Sequence, residues 1–248
     1  MKSVIIVPAR YASTRLPQKL LLCDTGKPLI QHTYESALKA TLPNSITVAC
    51  DHEEIFNAVQ RFGGHVQMTD PNAKSGTDRI AEVAAALDDV DIIVNVQGDE
   101  PEIAGTSIDL AIQMLIDNPD VVMSTLATPI RNQQQLADAA CVKVVFDAKG
   151  RALYFSRSVI PHPRGGVREE HFIQPLFYQH IGLYAYRRDF LLRLSQLPQS
   201  ELEKAESLEQ LRVLHHGYSM MVGIVDEPTC GIDTPEDYRK FVDKMKGV

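Results

Sequence analysis

Cysteine is scarce in these 248 residues, and its four occurrences, Cys23, Cys50, Cys141 and Cys230, form no CxxC pair. That spacing excludes a disulfide framework or a zinc site and reads as reduced thiols of a cytoplasmic protein. Glycine is absent where phosphate fingerprints require it: neither the P-loop nor the GxGxxG pattern occurs, which excludes a classical NAD-binding Rossmann domain. No apolar run approaches the roughly 20 residues of a membrane span. The amino-terminal run Val4 to Val7 stops at Pro8, so no signal peptide is expected. Internal repeats and low-complexity tracts are missing as well. A net charge of -7 argues against nucleic acid or an anionic membrane as the main partner. What remains, with 44% hydrophobic and 23% charged residues, is the composition of a soluble globular protein with a substantial core.

Acid is also missing locally, because none precedes Asp24 in an otherwise acidic chain. That stretch instead holds Arg10, Arg15 and Lys19, separated by the small or turn-forming Ala12, Ser13, Thr14 and Pro17. The β-branched run before Pro8 reads as a buried parallel strand. Cations just beyond its carboxyl end sit where open α/β sheets bind ligands. Arginine forks and a lysine point charge on a wrapping loop suit a polyphosphate. The alternative is a solvated basic loop.

Strands and helices alternate through the first half. Strands are expected at Ser3–Pro8, Ile46–Cys50, His65–Met68, Asp91–Val96 and Val121–Pro129. Helices are expected from Pro28, after an Asp51 cap with Glu54 completing a capping box, from Gly76 to Ala86, and from Thr106 to Asp117. That rhythm predicts an α/β fold, doubly wound around a mostly parallel sheet. Beyond residue 140 the pattern changes: Val142–Phe146 and Arg151–Phe155 flank a hairpin turn. Pro161–Pro175 reads as a flexible loop, followed by a helix near Glu206–His215, a strand at Met220–Val225 and a closing helix from Thr234. One domain over 1–248 is expected, with a nucleotide-binding half (1–140), an inserted substrate and dimerisation lobe (141–230) and a closing segment (231–248).

The run Val96-Gln97-Gly98-Asp99-Glu100-Pro101 ends the fourth strand. Gly98 lets something approach the backbone closely. Asp99 projects on the same edge as the cationic loop. A carboxylate beside phosphates is repulsive unless a divalent cation lies between them, so Asp99 reads as a magnesium ligand; the alternative is a turn aspartate. In Asp233-Thr234-Pro235-Glu236-Asp237, a helix cap accounts for Thr234 and Asp237 but not for Asp233. Ser75-Gly76-Thr77 can be a plain N-cap or can present amides and hydroxyls to the edge of a base.

These segments, together with Ala152-Leu153-Tyr154-Phe155-Ser156-Arg157, His180-Ile181-Gly182-Leu183-Tyr184 and Leu208-Glu209-Gln210-Leu211-Arg212, resemble in order the cytidylyltransferases that activate 3-deoxy-manno-octulosonate (Kdo). The resemblance covers nearly the whole chain. It implies a sheet of nucleotide-diphospho-sugar transferase type and the reaction of CTP with Kdo to give CMP-Kdo and diphosphate, for lipopolysaccharide biosynthesis. It also implies magnesium, a cytoplasmic location and a homodimer. Asp233 becomes the second metal ligand. CTP falls to Ala9, Arg10, Arg15, Lys19, Ser75, Gly76, Arg79 and Gln97, with Lys19, Arg10, Asp99 and Asp233 catalytic. The sugar acid falls to Gln97, Arg157, His180, Tyr184, Glu209 and Gln210, with Arg157 forking onto the carboxylate. Many Kdo enzymes have histidine two residues before the Ser75 position, where this chain has Ala73. That departure leaves 8-amino-Kdo or another acidic sugar open. Two further readings are a sugar-1-phosphate nucleotidyltransferase and a non-catalytic nucleotide sensor.

Overall fold

The apolar run before Pro8 forms β1 (Ser3–Ala9), buried along its whole length because helices cover both of its faces. Residues 1–226 and 231–247 are described by the computed structural model, so Cys230 lies outside the described residues. After β1 come a 3-10 turn at Lys19–Leu21, α1 (Leu29–Ala37), β2 (Ser45–Cys50), α2 (Glu53–Arg61), β3 (Val66–Met68), α3 (Gly76–Ala85), β4 (Ile92–Asn95), α4 (Gly105–Asp117) and β5 (Met123–Pro129). The remainder contributes α5 (Gln133–Ala137), β6 (Lys143–Phe146), β7 (Ala152–Ser156), α6 (Glu170–Ile173), β8 (Tyr178–Arg187), α7 (Arg188–Leu194), α8 (Glu201–Glu206), α9 (Gln210–His215), β9 (Met220–Ile224) and α10 (Pro235–Lys246).

Among the described residues the strands form one nine-stranded sheet, ordered β3-β2-β1-β4-β8-β5-β9, with the β6–β7 hairpin attached to β8. Side chains alternate across it with the strand period of two. Ile5 and Val7 of β1 pack into one layer with Leu29, Ile55, Ile108 and Phe241, from α1, α2, α4 and α10. Val4 and Ile6 face the other layer with Ile80, Leu191 and Val213, from α3, α7 and α9. The sheet is thus covered on both faces, as the alternation predicts.

The pairing is largely parallel: β3, β2, β1 and β4 run together, as do β5 and β9. The exception is β8, which lies antiparallel between β4 and β5. So β8 and β9, expected in an inserted lobe, complete the main sheet, and the β6–β7 hairpin is what stands off it. Three local expectations are corrected. His52, not Asp51, caps α2, its ring accepting from the Glu54 N–H at 3.2 Å. Pro161–Pro175 contains the short helix α6. The helix expected near Glu206–His215 is α9, which starts only at Gln210, and a further helix, α8, precedes it across a break where Ser207 takes a left-handed φ of 52°.

Candidate active site

The cationic loop follows β1 and is held at several points. The Tyr11 N–H donates to the Asp51 carboxylate at 2.8 Å, its hydroxyl reaches Glu54 at 2.8 Å, and its ring stacks on His52. Leu16 and Leu20 are buried in the core, and Gln18 turns the chain with a φ of 51°. Lys19 therefore stands on an anchored backbone with its side chain directed at the end of β4.

Two carboxylates meet it there. Lys19 Nζ contacts Asp99 Oδ2 at 2.5 Å and Asp233 Oδ1 at 3.1 Å, while Arg15 reaches the same Asp233 oxygen at 2.9 Å. The convergence of segments so distant in sequence has a backbone cause. The Ile232 N–H donates to the Asp99 carbonyl at 2.9 Å, which docks the strand-end turn against the start of α10. Thr234 and Asp237 then fix α10 with a reciprocal capping box. Gly98 lies at the crossing: a Cβ there would sit 3.0 Å from the Pro8 carbonyl and 3.3 Å from Ile30 Cδ1. The close approach expected at Gly98 is made by β1 itself.

Around this cluster opens a cleft of about 310 Å³ lined by Arg10, Lys19, Gly76, Gln97 and Asp99. Gly76 and Gln97 also line a second compartment of about 160 Å³, whose walls include Tyr184, Glu209 and Gln210. The two spaces thus share an edge, one cationic and the other lined with hydroxyls, amides and a carboxyl. Gln210 is 4% exposed, and its Nε2 has no hydrogen-bond partner among the described residues. A buried amide left in that state costs about 1–3 kcal/mol, so it is built to receive an acceptor.

A register shift between Thr125 and Leu126 shapes the inner compartment. Side chains four residues apart on a regular strand lie about 13 Å apart. Here the extra residues of β8 bring the His180 and Tyr184 rings to 5.4 Å. Burial pushes the His180 imidazole down to about 3, so it is neutral at pH 7 and serves as a hydrogen-bonding group beside the Thr125 hydroxyl at 2.9 Å. Burial raises the Tyr184 phenol, and it raises the Glu209 carboxyl despite the Thr77 hydroxyl hydrogen-bonded to it. Each shift favours the neutral form, which can donate a hydrogen bond.

Four expected ligands stand elsewhere or do other work. Ser75 caps α3, accepting from the Asp78 N–H at 3.0 Å. Ala9 is wholly buried in the core layer, so it can offer the cleft only backbone atoms. Arg79 is 0% exposed, bound to Asp51 at 3.1 Å and to the Thr69 hydroxyl, and it braces the ends of β2 and β3 behind the cleft. The Arg157 guanidinium donates to the Glu206 carbonyl at 2.7 Å and the Ala139 carbonyl at 3.1 Å, outside the residues lining the inner compartment. Conversely, Asn95 and Tyr186 line that compartment with no expectation for them in the sequence, and Thr77, expected only within a base-facing motif, lines it too. A signal existed for Asn95, the polar residue closing the apolar run Ile92–Val94, and for Thr77, which belongs to the Ser75-Gly76-Thr77 motif.

Asp99 and Asp233 suit a hard divalent cation, since both bring a carboxylate oxygen to one cationic point, the Lys19 ammonium. Among the described residues no cluster of three or more His, Cys, Asp or Glu could hold a metal. A donor set of two carboxylates fits magnesium, which keeps waters and takes phosphate oxygens for its remaining positions.

Residues 4–222 match the family model described as Cytidylyltransferase. A protein of Geotalea uraniireducens called 3-deoxy-manno-octulosonate cytidylyltransferase is 49% identical over 251 residues, covering 99% of this chain and 100% of its own. One of the same description from Rhodopirellula baltica is 44% identical over 99% of both chains. The solved structure of CMP:2-keto-3-deoxy-manno-octonic acid synthetase complexed with CTP superposes with a TM-score of 0.92 at 42% identity, covering 100% of this chain and 99% of that one.

Proposed function

This chain belongs to the cytidylyltransferase family, and from that premise we propose that it joins CTP to Kdo, releasing diphosphate. The observation that carries the reading is the shared edge at Gly76 and Gln97, which sets a cationic, carboxylate-bearing cleft against a polar compartment with the unsatisfied Gln210 amide. The C2 hydroxyl oxygen of the sugar bonds to the α-phosphorus of CTP. The bond from that phosphorus to the bridging oxygen breaks, diphosphate takes the electron pair, and the hydroxyl proton passes to water. Arg10, Arg15 and Lys19 grip phosphate oxygens, and the Gly76 backbone at the start of α3 meets the cytosine. Tyr184, Glu209, Gln210 and neutral His180 address the sugar hydroxyls. Asp99 and Asp233 would hold magnesium, which supplies charge neutralisation at the transferring phosphate. Positioning and electrostatics thus account for the work, as in other phosphoryl-type transfers. Arg157 reaches the sugar carboxylate only by leaving its two carbonyls.

We also propose a cytoplasmic homodimer serving lipopolysaccharide synthesis. A pyrophosphate-release assay tests the activity: release with CTP is expected only when Kdo is present. Release with UTP and a neutral sugar phosphate, and none with CTP and Kdo or 8-amino-Kdo, would overturn it. Faster release with 8-amino-Kdo keeps the chemistry and changes the substrate.

A further inference from the structure

The metal carboxylates of this chain are already satisfied before any metal arrives. Asp99 and Asp233 share the Lys19 ammonium, and Arg15 adds a second contact to Asp233. Two negative charges are thus matched by two positive ones. The ammonium is the sequestered member, its side chain only 11% exposed, against 65% for Arg15. Its backbone cannot swing away, since Leu16 and Leu20 fasten it to the core. The four-carbon arm can still re-aim its point charge.

We propose that Lys19 is a stand-in for the metal: in the free chain its ammonium occupies the cation position between Asp99 and Asp233, and a polyphosphate must draw it off before the pair takes up a divalent ion. This rests on reading the two aspartates as metal ligands. A lone divalent cation entering the site would face an ammonium and a guanidinium at contact distance from the oxygens it needs. Phosphate oxygens remove that conflict by taking both cations onto themselves, which bares the carboxylates while the metal gains further ligands. The nucleotide therefore binds before the metal or together with it, and metal alone binds weakly.

The test is binding of Mn2+ alone to the full-length protein, read by loss of the free-ion electron paramagnetic resonance signal, with no nucleotide present. Lys19→Met, which keeps the length of the arm and removes its charge, is expected to bind Mn2+ about tenfold more tightly than the wild type, the scale of one nearby charge in a partly screened site. Arg15→Gln, on the more exposed of the two cations, should shift affinity the same way by less. The gain should vanish in Lys19→Met/Asp99→Asn. Unchanged or weaker Mn2+ binding in both single variants would overturn the proposal, as would a gain that survives Asp99→Asn. Because no turnover is measured, failure of the pyrophosphate assay and failure of this series are distinguishable.

Discussion

Asp99 and Asp233 share one ammonium, and a backbone hydrogen bond joins the segments that carry them, so the two are expected to act as a unit. Asp99→Asn is expected to lower cytidylyl transfer by more than ~100-fold, the scale for losing one electrostatic contact in a transition state. Circular dichroism should stay that of the wild type, since the side chain is partly exposed at a strand end. Asp233→Asn should behave alike, and the double variant should lose far less than the product of the two. Full activity of either single variant at saturating magnesium would refute the shared role. Asp99 was legible because a carboxylate closing an apolar strand beside cations needs an explanation. Asp233 was legible only by resemblance, since the capping motif beside it explains its neighbours and leaves it undetermined. Arg79 misled: its motif position suggested a ligand, and nothing local revealed that Asp51 and Thr69 would enclose it.

Elements were legible where periodicity decides and obscure where pairing does. The βαβ rhythm placed β1 to β5 and the helices between them, because both strand faces are covered and read apolar. The direction and place of β8 depend on which edges β4 and β5 leave open, which no local pattern carries. The break between α8 and α9 turns on Ser207, whose left-handed backbone has no glycine or asparagine to announce it. One contact between elements makes a sharp prediction. The first turn of α4 presses on the chain just past α1, where a Cβ on Gly105 would lie 2.5 Å from the Lys39 carbonyl carbon and 2.6 Å from the Ala40 nitrogen. Gly105→Ala must push these backbones apart, and about 1–3 kcal/mol of stability should be lost, the range for overpacking. Gly182→Ala, with open space around that residue, should leave the urea midpoint nearly unchanged. Equal midpoints for both variants would refute the account.

At the scale of the whole molecule, three exposed apolar side chains among the described residues come from the β6–β7 hairpin and the segment around α6: Leu153 is 61% exposed, Ile173 73% and Leu176 38%. These segments lie outside the central run of strands, and their exposed apolar side chains suit the proposed dimer contact. Light scattering should give about twice the 27.6 kDa of one chain. Leu153→Lys/Ile173→Lys should return a single-chain mass, and a dimer undisturbed by that pair would place the contact elsewhere.

The position of β8 also governs how the molecule comes into being. β4 and β5 are never bonded to each other; the strand that joins them is made after both. A chain emerging from the ribosome can set β1 to β4 side by side early, but the outer edge of β4 stays open until residues 178–187 are released. Such an open edge invites the wrong neighbour, and pairings this distant in sequence form slowly. His180 and Tyr184 ride on the closing strand, so the inner compartment takes shape only as the sheet is sealed. A chain that has not yet placed β8 lacks the Tyr184 wall of the inner compartment, so that space forms only once the gap between β4 and β5 is filled and Glu209 and Gln210 have followed.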